Sequence, residues 1–312
     1  MKSFLKRIHT EHFRWTDEAI IVLLFAAVIM ILSSDYLGGV IAAPFAPLIE
    51  SDETGYWQVF CMYFQFIGIW LAFLLLCLIF KSNRPILKAL WTAPKGNKIR
   101  YLGIGLLIGF GLNMFCAVAA VLNKDIAIYF DSFNFTRLLL LFIAVFIQSS
   151  SEELVCRAYI YQCLRRGYRH PAVAIILNAL LFTVMHLLNP GASVIPMLAV
   201  FVAGFFFSLM VYFMDSLWCA MAAHTAWNYT QNVILGLPNS GIVSPVSVFK
   251  LDAASATSSL VYNVMFGLEG TVMAVAVMTI ASILIIVLYR NKKVTPYNPW
   301  TLCPRNMKDS ER

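Results

Sequence analysis

Polar residues are scarce along this chain and gather between long apolar stretches. Apolar runs fall at about 19–41, 57–80, 101–122, 137–164, 172–189, 194–214, 217–236 and 268–289. Most approach the ~20 residues that a helix needs to cross a bilayer. A helix is the expected form of each, because it satisfies its own backbone hydrogen bonds where there is no water. The pattern predicts an all-α, polytopic membrane protein with about eight transmembrane helices. They form a single membrane domain over 1–312, with too little sequence left for a separate soluble unit. The fourth run is long and turns polar in its second half, and 33–56 leaves room for a short interfacial helix. A basic leader (Lys2, Lys6, Arg7, Arg14) precedes the first run, but no small-residue cleavage site ends it, so an uncleaved first span is expected.

Composition narrows the choice further. The chain has 312 residues, 60% apolar and 12% charged, against roughly half and a quarter in soluble domains. That excludes a disordered chain, a coiled coil and an ordinary soluble enzyme. The net charge of +7 would suggest an acidic partner in a soluble protein, but here its placement matters more. With the N-terminus cytoplasmic, 19 of the 23 Lys and Arg lie in cytoplasmic segments. The opposite loops keep Lys124, Arg137 and Lys250, beside Asp35, Glu50, Asp52, Glu53, Asp125, Asp131, Asp252 and Glu269. The positive-inside rule then predicts both termini in the cytoplasm, an even number of spans and a multi-pass protein of the cell membrane. The expected partner is the lipid bilayer and not nucleic acid. The seven cysteines are odd in number and form no CxxC pair, so they read as small buried hydrophobes and not as a disulfide or zinc framework. The loop 237–267, rich in Ser, Pro, Gly and Val, is expected to fold over the outer face.

Ionisable groups deep in a span are costly and usually functional. The fourth run holds Ser149-Ser150-Ser151-Glu152-Glu153, then Arg157; the fifth ends in Phe182 and His186; the seventh holds His224 and Asn228. Adjacent residues on a helix point about 100° apart, so Glu152 and Glu153 face different neighbours. Glu153 stands four before Arg157, the favourable order for an ion pair, and a structural clamp between helices is the bland reading of that pair. Two carboxylates against one cation leave an excess negative charge, which needs a proton, a metal or a histidine nearby, or a carboxyl that stays protonated. His186 and His224 are the two of the five histidines in apolar surroundings; His9, His12 and His170 lie in charged segments and read as inert. Glu152, His186 and His224 together can hold a water or a zinc ion. His224 and Asn228 are one helical turn apart, as are Phe182 and His186. By count from its apolar run, His186 sits deeper than Glu152 and His224.

Glu-Glu-x-x-x-Arg at 152–157, Phe-x-x-x-His at 182–186 and His-x-x-x-Asn at 224–228, in this order and each in an apolar run, resemble the CAAX-protease and bacteriocin-processing (CPBP, Abi) family of intramembrane endopeptidases. The motif-bearing part covers 137–236, and the stretch that begins at Asn228 is similar to the family's bacterial branch. Ala158 stands where a Gly is common. The resemblance implies eight spans around an intramembrane cavity open toward the cytoplasmic leaflet. It also implies hydrolysis of a peptide bond near the end of a peptide or protein tail, without a covalent intermediate. In that scheme Glu152 and His186 polarise the water, His224 and Asn228 stabilise the oxyanion, and Arg157 and Glu153 brace the site. A zinc ion on Glu152, His186 and His224 is the alternative to a glutamate-activated water. Two other classes fit the same polar cluster: a non-catalytic immunity or scaffold protein, and an ion-coupled transporter with the carboxylates and histidines as a proton relay.

Overall fold

The computed structural model describes residues 8–300. Lys2, Lys6, Arg7, Cys303, Arg305, Lys308 and Arg312 lie outside the described residues. Among the described residues, six helices are long and apolar enough to cross a membrane: α1 (Ile20–Glu50), α2 (Tyr56–Ile79), α3 (Ile99–Leu122), α4 (Phe135–Gly167), α6 (Val194–Met214) and α8 (Val272–Tyr289). Two shorter helices fall in the fifth and seventh apolar runs, α5 (Pro171–Met185) and α7 (Leu217–Asn228). The protein is all-α and polytopic, and among the described residues six helices meet the length of a span where the apolar pattern predicts about eight. The 33–56 stretch carries helix too: α1 runs on to Glu50 through a π turn at Ser34–Gly38 and short helical pieces.

Apolar side chains such as Phe25, Ile29, Leu75, Leu107 and Leu284 stay exposed along the helices, as a lipid-facing surface demands. α7 differs: all of its residues from Cys219 to Asn228 are buried. Its closest partner is α3. A Cβ on Gly105 would lie 2.3 Å from the Cys219 carbonyl oxygen, and one on Gly109 would lie 2.0 Å from that of Ala223. Glycines one turn apart thus let the two backbones meet, the usual way helices pack where hydrophobicity gives no drive.

The basic segments gather at one end of the bundle. There the His9 backbone pairs with Tyr168. Arg166 meets the buried Glu18 at 3.2 Å, and Asp215 accepts the backbone N–H groups of Lys95 at 2.7 Å and Tyr297 at 2.8 Å. Trp300 donates its indole N–H to the Ser82 carbonyl at 2.8 Å. Both ends of the described chain therefore lie at the same end, as an even number of crossings requires. At the opposite end the loop 237–267 folds back, and β2 (Phe249–Leu251) pairs antiparallel with β1 (Ile128–Phe130). The cysteines at 61, 77, 116, 156, 163 and 219 are buried and free.

Candidate active site

Two π turns frame the polar cluster. One begins directly after Glu153, at Leu154–Ile160 inside α4, and the other directly after Asn228, at Tyr229–Ile234. A π turn admits an extra residue, is rare, and occurs often at functional sites. α5 stops at Met185, and His186 caps it. Glu152 lies fifteen residues before the end of α4 and His186 fifteen after the start of α5, on the two sides of the 168–170 turn. Equal runs along antiparallel helices bring the two residues level, which removes the depth mismatch read from the apolar run.

The structure brings all six predicted residues together. Arg157 is fully buried, donates to Glu153 Oε1 at 3.1 Å and to the Gly204 carbonyl at 2.9 Å, and lies 4.5 Å from the Phe182 ring centroid. His224 Nδ1 meets the same Glu153 oxygen at 2.9 Å. His186 Nδ1 lies 2.8 Å from the Phe182 carbonyl. A carbonyl only accepts, so Nδ1 of His186 carries the hydrogen. Glu153, an ion-pair partner of Arg157, likewise accepts from Nδ1 of His224. Neutral rings in these tautomers present bare Nε2 atoms. Both face Glu152 Oε2, at 3.8 Å for His186 and 3.9 Å for His224. Glu152 Oε2 is itself buried and has no hydrogen-bond partner within the protein.

Three acceptors thus surround one spot, at separations where a water commonly bridges polar groups. The donor chemistry also resembles a zinc site, with each Nδ1 anchored by a carbonyl or carboxylate. The spacing does not. Two ligands of a tetrahedral zinc stand roughly 3.3 Å apart, given bonds of about 2.0–2.1 Å. Among the described residues no group of three or more His, Cys, Asp and Glu is arranged to hold a metal ion.

Asn228 is held by its surroundings. Its amide nitrogen donates to Gln148 Oε1 at 3.2 Å and to Ser149 Oγ at 3.1 Å, and its carbonyl accepts from Asn239 Nδ2 at 3.1 Å. Gln148 in turn donates to Glu152 Oε1. A cavity of about 240 Å³ opens beside Glu152, His186, His224 and Asn228, with apolar walls that include Ile31, Met62, Phe66 and Ile69. Asn239, Ser240 and Ile242 also line it. These belong to the loop at the end opposite the basic segments. The cavity thus lies toward that end.

Residues 134–230 match the family described as type II CAAX prenyl endopeptidase Rce1-like. Through this segment the chain is similar to that family. The segment contains every member of the cluster, from Glu152 to Asn228. The similarity supports intramembrane endopeptidase activity in general, on a peptide or protein substrate and in a membrane. No curated protein and no solved structure matches the chain.

The sequence reading missed Gln148 and Asn239. Gln148 had a signal, a polar amide one turn before Glu152 in an apolar run. Asn239 had none, since an Asn in a Pro-Asn-Ser-Gly loop reads as turn chemistry.

Proposed function

We propose that the protein is an intramembrane endopeptidase that cleaves a peptide bond near the end of a peptide or membrane-protein tail, using a water activated by Glu152. The observation that carries this reading is the buried, unpartnered Oε2 of Glu152, aimed between the Nε2 atoms of two histidines. A water there can give one proton to Glu152 while His186 orients it. Its oxygen then attacks the substrate carbonyl. A proton on His224 makes Nε2 a donor to the oxyanion, and Glu153 stabilises the resulting imidazolium through Nδ1. One such proton also balances the two carboxylates against Arg157. Asn228 adds a second donor once one of its contacts to Gln148 and Ser149 yields. Each well-aimed donor contributes roughly 3–4 kcal/mol in a dry site. Glu152 then passes its proton to the leaving amine. The apolar walls of the cavity suit an apolar tail. The clustering of basic segments at one end supports placing that end, with both termini, in the cytoplasm of a cell-membrane protein.

The test is cleavage of a mixed peptide library in detergent by wild type and Glu152→Gln, with and without a chelator, read by mass spectrometry. Cuts made by wild type alone and unaffected by chelator are the expected result. A variant that cuts as well as wild type would sink the assignment. Loss of cutting with chelator, restored by zinc, would replace the glutamate-activated water with a metal.

A further inference from the structure

A carboxylate in a polar loop is expected to point into water. Glu269 does not. It sits in the turn Leu268–Gly270 just before α8, and lines a smaller cavity of about 50 Å³ together with His186, His224 and Asn228. Its Oε1 accepts from the backbone N–H of Ser240 and from Ser240 Oγ, the latter at 3.2 Å. Its Oε2 accepts from Gln231 Nε2. One donor residue thus lies in the π turn after Asn228 and the other in the loop beside the large cavity.

Two further observations show that the loop is held under constraint. Ser240 has φ +48, a left-handed conformation uncommon for a residue with a side chain. Its N–H donates to Glu269. Gly267 has φ +96, and a Cβ on it would lie 1.9 Å from the Pro238 carbonyl oxygen. Only glycine lets the 267–270 turn come this close to 238–240. Asn239, between Pro238 and Ser240, exchanges backbone hydrogen bonds with Ile242 at 2.9 Å in both directions. Its side chain donates to Asn228 Oδ1.

We infer that Glu269 is a positioning residue: by pinning Ser240 it holds the Asn239 amide against Asn228 and so fixes the direction in which Asn228 donates. The catalytic half of this inference rests on the endopeptidase reading; the latch itself does not. The carboxylate offers acceptors on both sides, to Ser240 and to Gln231. A glutamine would turn one of these into a donor facing a donor.

The test uses the full chain in detergent, as wild type, Glu269→Ala, Glu269→Gln, Asn239→Ala and the double variant Glu269→Ala/Asn239→Ala. Hydrogen–deuterium exchange reads the latch without any substrate. Uptake over 236–245 is expected to rise in Glu269→Ala, less in Glu269→Gln, with the rest of the chain unchanged. Unchanged uptake overturns the latch whatever the activity. On a peptide that wild type cleaves, kcat is expected to fall on the order of tenfold or more in Glu269→Ala, since a misplacement of about 1 Å can cost a hundredfold. KM should stay within about twofold. Asn239→Ala should cost about as much, and the double variant no more than the larger single, because both act through one contact. Losses that multiply in the double variant, or a changed KM at constant kcat, would refute the positioning role. If Glu269→Ala fails to fold, Glu269→Gln carries the same comparison.

Discussion

Arg157 and Glu152 should respond to substitution in opposite ways. Arg157 is completely buried, with its charge met by Glu153 Oε1 at 3.1 Å, the Gly204 carbonyl at 2.9 Å and the Phe182 and Phe207 rings at 4.5 and 5.5 Å. Arg157→Met keeps much of the volume and removes all of these. Losing one partner of a buried ion pair costs about 3–5 kcal/mol, because the other charge is left without compensation. Here Glu153 keeps His224 at 2.9 Å, so the lower end of that range is expected, or a fall in melting temperature on the order of 10 °C. Glu153→Gln/Arg157→Met should be less damaging than the sum of the two single variants by about 2 kcal/mol or more. Glu152→Gln should shift stability by less than about 1 kcal/mol, since its Oε2 makes no hydrogen bond to lose. Cys77, Cys116, Cys156, Cys163 and Cys219 are buried, so a thiol-reactive fluorophore reports thermal unfolding in detergent directly. An Arg157→Met loss below about 1 kcal/mol, or additive single and double variants, would refute the claim that this pair braces the site.

Two further outcomes follow from the packing and from the carboxylates outside the spans. Gly109→Val should drive α3 and α7 apart, since its Cβ would meet the Ala223 carbonyl at 2.0 Å. Overpacking of this kind typically costs about 1–3 kcal/mol, and His224 moves with α7, so both melting temperature and cleavage should fall. Gly111→Ala, with nothing near the new Cβ, should leave both intact. Desolvation pushes the Glu269 carboxyl up from 4.5 to about 7. A raised carboxyl binds more protons in the folded state. Stability is therefore fully present below about pH 4.5 and declines as pH rises toward 7. Melting temperatures of Glu269→Gln should lack that part of the decline; identical pH profiles for the two proteins would show that Glu269 does not titrate in this window.

What the sequence made legible was whatever had few physical explanations. A run of twenty apolar residues has one common use, and ionisable groups inside such a run have few. The charges had to meet partners, and the histidines of two other runs were the available ones. The ends of elements were less legible because they depend on neighbours: α5 stops at Met185 although its apolar run continues to 189, and α7 carries almost no lipid face because Gly105 and Gly109 admit α3 against it. The π turns after Glu153 and Asn228 leave no trace in the apolar pattern, although they follow directly on the residues that face the site. Glu269 shows the same limit from the other side. Grouped with Asp252 and Glu53 as a loop acid, it looks hydrated, and only the return of 237–270 over the cavity brings it to Ser240 and Gln231. Polar residues in apolar runs disclose themselves because lipid penalises them; polar residues in polar loops do so only once the fold has shown which of them water no longer reaches. The proposed centre belongs to the first kind, and Asn239 and Glu269, proposed to aim it, belong to the second.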